Sequence, residues 1–242
     1  MPTQSPSPQP VFQRFSVLHR FLHLVVLVGF TGLALTGLSM AFPSQPWARA
    51  VMWILGGPGN AGALHRFLAV VTYACIVVHF FWFFYYKLVL RGPWTGPRSL
   101  LPRKQDFIDM AQHFRFFFGT RNTPPKFHKF SYLEKFDYWA FFLGMNTMGL
   151  TGLFLWFPES FSRVFPGYFV NLAQVLHLYE AIMAATLKIV LHVITAHFRP
   201  SVYPLDASIF TGNVTAEKMM TEHPAEWETL AAPNETSVSS AS

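Results

Sequence analysis

Four stretches of this chain are apolar almost without interruption. They run from Phe15 to Phe42, Leu64 to Leu90, Phe136 to Phe157 and Phe169 to Phe198. Proline follows each one: Pro43, the Arg91-Gly92-Pro93 run, Pro158 and Arg199-Pro200. At a rise of about 1.5 Å per residue, some 20 residues of helix cover the ~30 Å hydrocarbon layer of a bilayer. The pattern therefore predicts an all-α protein, a four-helix transmembrane bundle. Between the second and third stretches, Phe107, Met110, Ala111, Phe114 and Phe118 recur at helical spacing, with Asp106, Asp109, Gln112 and Arg115 on the other side. This predicts an amphipathic helix on the membrane face or against a partner subunit. Met219 to Leu230 predicts a short surface helix in a polar tail.

Composition sharpens the picture. Of the 242 residues, 52% are apolar and 12% charged, against about 25% charged in soluble domains. The net charge of +6 does not point to nucleic acid, because the basic residues sit in the links. Arg91, Arg98, Arg103, Lys104, Arg115, Arg121, Lys126, Lys129 and Lys135 crowd the middle link, and Arg14 and Arg20 precede or open the first stretch. The other two links hold only Arg49, Arg66 and Arg163. The positive-inside rule then places both termini and the middle link in the cytoplasm. The expected organisation is a disordered tail over 1–13, a four-span domain over 14–198 with its cytoplasmic link at 91–135, and a cytoplasmic tail over 199–242. Cys75 is the single cysteine, so no intrachain disulfide and no C-x-x-C-H haem attachment is expected.

Seven histidines lie inside or at the ends of the apolar stretches: His19, His23, His65, His79, His177, His192 and His197. Such residues are costly in hydrocarbon and mark function. Neutral imidazole is an axial ligand of haem iron. His65 and His79 are 14 residues apart, close to four helical turns, which puts them on one face and about 21 Å apart. His177 and His192 are 15 apart, about 22 Å. His65 and His177 share an outer level, and His79 and His192 an inner one, so each level can clamp one haem. The inner level is overpopulated, since His19, His23 and His197 reach it too. His192 can be paired with His79 or with His23, and the remaining histidines leave room for a third haem. A metal transporter site would gather its ligands at one depth, whereas these are split between two.

The chain also repeats itself. Leu35-Thr36-Gly37-Leu38 precedes Phe42-Pro43, and Leu150-Thr151-Gly152-Leu153 precedes Phe157-Pro158. The next stretches hold Leu64-His65 and Leu176-His177. Two similar helical hairpins are expected, with Gly37 and Gly152 allowing close packing. Lys188, one turn before His192, is a candidate partner for a haem propionate. Glu180, three residues after His177, is a candidate partner for that ligand or a proton carrier.

These residues resemble the cytochrome b subunits of respiratory formate dehydrogenases and nickel-iron hydrogenases from about Phe15 to Trp227. The resemblance is carried by His23 with Gly37 of Leu-Thr-Gly-Leu fourteen positions on, Phe42-Pro43, Leu64-His65-Arg66-Phe67, Lys135 and Trp139 ahead of Thr151-Gly152, and the His177/His192 helix with its polar tail. The Glu134-Lys135-Phe136-Asp137-Tyr138-Trp139-Ala140 stretch looks closest to the branch accompanying multihaem cytochromes or molybdenum oxidoreductases. The resemblance implies two haem b groups, an outer one held by His65 and His177 and an inner one by His23 and His192, with His79 near a propionate or quinone. It implies a subunit of the bacterial cytoplasmic membrane that moves electrons between the quinone pool (menaquinone or ubiquinone) and a periplasmic redox partner. Its companions would be multihaem cytochrome c, iron–sulfur or molybdenum subunits, and it would act as a quinone-linked oxidoreductase only within that complex. Ser131 and Glu134 stand where formate dehydrogenase members carry an Asn-Ala-Gly-Gln run beside the quinone. The His177–His192 interval is one residue longer than in those members. A stand-alone membrane cytochrome b and a non-redox metal or ion transporter are the alternative readings.

Overall fold

The computed structural model describes residues 11–97, 99–194, 198, 203 and 205–231. His197 and the tail residues 1–10 lie outside the described residues. In chain order the elements are β1 (Val11–Gln13), α1 (Val17–Ala41), α2 (Pro46–Ile54), α3 (Pro58–Phe84, prolonged by a π-helical turn over Tyr85–Val89), α4 (Lys104–Phe117) and α5 (Tyr132–Trp156). There follow α6 (Pro158–Ser162), α7 (Tyr168–Thr186, prolonged by a π-helical segment over Leu187–Val193), α8 (Ser208–Thr211), β2 (Asn213–Thr215), α9 (Ala216–Glu222) and α10 (Pro224–Ala231). They fall into two units.

One unit comprises Phe15–Arg91 and Trp139–Thr211. The ends of its helices follow from local chemistry. Ser16 caps α1 by accepting the His19 backbone N–H at 3.4 Å. Gly56 and Gly57 have φ of +77° and +107°, a region glycine enters without steric cost. They deliver the chain to Pro58, which suits the first helical position. Val17–Ala41, Pro58–Val89 and Tyr168–Val193 are long and apolar enough to cross a membrane. The fourth expected span, α5, is also 25 residues long, but Gly144, Asn146, Thr147, Gly149, Thr151 and Gly152 dilute its hydrophobicity.

Packing in this unit inverts the pattern of a soluble core. Thr36, Ser39, Thr72, Ala61, Ala173 and Ala185 are buried between helices, while Phe67, Phe81, Leu143, Leu150, Tyr179 and Ile189 face outward. Against lipid, apolar side chains gain nothing by hiding, and small residues let helices approach closely. Gly29 is the closest approach, since a Cβ there would lie 2.2 Å from Thr72 Oγ1.

The other unit comprises Met1–Arg14, Gly92–Tyr138 and Gly212–Ser242. Residues 11–13, expected within the unstructured tail, instead form β1. It pairs antiparallel with β2 in the register Val11↔Thr215, Phe12↔Val214 and Gln13↔Asn213. Arg14 Nη2 donates to Lys129 O at 2.7 Å and to His223 Nε2 at 2.9 Å, and Nη1 lies 3.5 Å from Glu226. His223 Nδ1 donates to His128 O at 2.6 Å. Burial and the Arg14 guanidinium hold this imidazole below its ordinary value of 6.5, against the opposing pull of Glu134 and Glu226. In α4 the apolar and acidic faces are separate. Asp106 and Asp109 are buried, and Phe107, Phe114, Phe117 and Phe118 are exposed. The reason is Lys135, whose buried Nζ lies 2.8 Å from Asp106, while Asp106 also accepts the Arg103 N–H at 2.6 Å. The single helix expected over Met219–Leu230 is two, α9 and α10, divided at Pro224.

Candidate haem sites

The histidines meet in pairs. His65 on α3 and His177 on α7 have ring centres 6.3 Å apart. Each is fixed from behind by a threonine. Thr36 Oγ1 donates to Gly32 O at 2.7 Å, so at 2.9 Å its oxygen accepts from His65 Nδ1. Thr151 Oγ1 donates to Thr147 O at 2.7 Å and likewise accepts from His177 Nδ1 at 2.9 Å. With the proton on Nδ1 in both rings, both Nε2 atoms keep a lone pair for a metal. A hydrogen bond that sets tautomer and ring orientation is the usual support of a ligating histidine. The glycine after each threonine completes the cradle. A Cβ at 37 would lie 2.9 Å from His65 Cε1, and one at 152 would lie 3.4 Å from His177 Cε1.

His23 on α1 and His192 on the π-helical segment form the second pair, again with ring centres 6.3 Å apart. The separation is informative. Metal–nitrogen bonds to histidine measure about 2.0 Å, and a ring centre lies about 1.15 Å behind its nitrogen for bonds near 1.35 Å. Two imidazoles on opposite sides of one iron therefore have centres about 6.3 Å apart. Both pairs have the spacing that two imidazoles holding one haem iron between them would need. Among the described residues, no cluster of three or more His, Cys, Asp or Glu side chains could hold a metal ion.

The π-helical segment explains how His192 reaches its place. Fifteen residues of α-helix overshoot a whole number of turns by about 60°. A π-turn absorbs one extra residue, so Leu187–Val193 brings His192 back toward the face of His177.

His79 faces His19, with ring centres 6.0 Å apart. Trp82 lies 4.5 Å from His19 and 6.2 Å from His79. Its ring centre therefore sits about 4 Å off the line joining the two imidazoles, within the footprint a porphyrin would need. The ring opposite His192 is that of His23.

The remaining candidates have structural partners. Lys188 Nζ lies 5.2 Å from the centre of the Phe141 ring, and the Glu180 carboxylate packs on Gly144, where a Cβ would lie 2.6 Å from Oε1. Ser131 and Glu134 form the cap of α5. Glu134 Oε2 accepts the Ser131 N–H at 2.7 Å, and Ser131 Oγ accepts the Glu134 N–H at 3.2 Å. Sequence reasoning missed Thr36 and Thr151, although the Leu-Thr-Gly-Leu repeat carries both.

Comparison with known proteins gives the family. The profile of the prokaryotic cytochrome b561 family matches residues 14–212. The cytochrome b556(fdo) subunit of formate dehydrogenase from Escherichia coli (strain K12) is 25% identical over 185 residues, covering 76% of this chain and 77% of that protein. The nitrate-inducible cytochrome b556(Fdn) subunit from the same strain is 22% identical over 184 residues, covering 76% and 74%. The formate dehydrogenase cytochrome b556 subunit of Haemophilus influenzae is 27% identical over 177 residues, covering 73% and 67%. All four paired histidines fall inside the matched residues, and the chain belongs to the prokaryotic cytochrome b561 family, as a membrane b-type cytochrome that carries haem b in electron transfer.

Proposed function

We propose that this chain is the di-haem membrane subunit of a bacterial respiratory complex, passing electrons between the quinone pool and a periplasmic redox partner. The observation that carries the reading is the two histidine pairs at 6.3 Å, His65–His177 and His23–His192. They are about 20 Å apart along the helices. Haem iron held by two imidazoles has no open position, so it supplies one-electron transfer and leaves oxygen alone. The chain's part is to hold the two sites one above the other across the insulating layer. On this reading α5 is the fourth span, residues 14–198 form the haem domain, and both termini and the 91–135 link are cytoplasmic, in the bacterial inner membrane. The matched contacts of Thr36-Gly37 with His65 and of Thr151-Gly152 with His177 support a two-hairpin repeat.

Menaquinone or ubiquinone would react at the inner level, where His79 and His19 can exchange protons. The relatives are named as subunits of formate dehydrogenase. This supports a companion of the molybdenum and iron–sulfur oxidoreductase class, with multihaem cytochrome c an alternative electron carrier. A pyridine haemochrome assay and a potentiometric titration of the purified protein test the reading. Two b haems per chain are expected. His65→Ala and His177→Ala should lose the same haem, His23→Ala and His192→Ala the other, and His79→Ala neither. Absence of haem b, or loss of the inner haem in His79→Ala but not in His23→Ala, overturns the assignment.

A further inference from the structure

Arg20 lies three residues before His23 on α1, about 4.5 Å along the helix axis. A guanidinium stays charged throughout the accessible pH range, and a charge inside a spanning helix demands a counter-ion or water. Yet, among the described residues, Arg20 Nε is buried without a hydrogen-bond partner. Arg20 lines a pocket of about 230 Å³ together with His23, Phe21, Leu24, Ile209 and Phe210. The pocket thus combines an inner haem ligand, an apolar wall and one cation. Asp206, three residues before the pocket's Ile209, accepts the Ser208 N–H at 2.9 Å.

We propose that Arg20 is the anchor for a propionate carboxylate of the inner haem, a role the sequence had suggested for Lys188. This rests on His23 and His192 holding that haem. The anion arrives with the haem, the guanidinium fork matches a carboxylate, and the buried Nε gains the partner it lacks among the described residues. Arg20 is then a positioning residue that also tunes potential. Its charge favours the reduced, more negative iron centre and keeps the propionate ionised.

The test is a potentiometric titration of the holoprotein across pH 6 to 8. In Arg20→Gln the inner haem is retained, and its reduction equilibrium shifts about tenfold toward the oxidised form, a fall of ~59 mV for a one-electron couple. Its midpoint also becomes pH-dependent, because the unpaired propionate now takes up a proton on reduction. The outer haem does not change. An inner midpoint and pH profile identical to the native ones, with Arg20 serving a lipid phosphate instead, overturns the proposal. If the glutamine chain does not accumulate, Arg20→Lys is read by redox-difference infrared spectroscopy. Shifted carboxylate bands support the contact, and superimposable bands overturn it. Retention of the inner haem in both His23→Ala and His192→Ala would instead remove the underlying assignment and this inference with it.

Discussion

The residue scale is governed by two threonines that the Leu-Thr-Gly-Leu repeat carries without disclosing what they bond. Thr36 and Thr151 each spend their hydroxyl proton on a carbonyl four residues back, and so turn a histidine's Nδ1 proton to their own oxygen. Thr36→Val or Thr151→Val keeps the shape and removes the acceptor. Either should weaken outer-haem retention by about 10- to 100-fold, as loss of such supports does at metal sites, with the inner haem unchanged. Haem stoichiometry and the two midpoints, read side by side, check this. The histidines themselves were legible in the sequence, because polar residues in apolar stretches stand out and their spacing fixes their depth. The supporting threonines were not, because a hydroxyl four residues from a carbonyl normally satisfies itself. Only the partner on another helix reveals the second bond.

At the scale of elements, the apolar runs located the helices, and proline marked their ends. What the runs could not disclose is that the helix carrying His192 changes its winding over Leu187–Val193. Regular periodicity left His79 and His23 as equal candidates for the inner site, because facing directions were counted on ideal helices. If the wider turn stores the one-residue excess, deleting Val190 should let the helix relax to α geometry with His192 still facing His23 and the inner haem kept. Inserting one alanine after Ala181 should rotate His192 by about 100° and lose it. The amphipathic α4 illustrates a related limit. Its two faces were visible, but the inward one was decided by Lys135, 29 residues beyond Asp106.

For the whole molecule, the ends of the chain are tied by the β1–β2 ladder and by Arg14 and His223. Three-residue strands carry too little pattern to be foreseen. His223 accepts from Arg14 and donates to His128 O, so a second ring proton would face a cation. Its value lies below the ordinary 6.5 in the folded chain, so the undocked tail binds the proton more readily. The clasp is therefore fully stable above about pH 6.5 and weakens as pH falls toward the depressed value, by at most about 1.4 kcal/mol per pH unit. Hydrogen exchange over residues 213–231 should quicken between pH 7.5 and 5.5, and His223→Gln should flatten that dependence. The same ladder bears on how often the polypeptide passes through the bilayer. Backbone hydrogen bonds cannot be exchanged through hydrocarbon, so Phe12 and Val214, which face each other in the ribbon, occupy a single aqueous compartment. A thread that departs from and returns to one compartment makes an even number of passages. The three most apolar helices cannot satisfy that parity alone, and the proposed passage of α5 restores it.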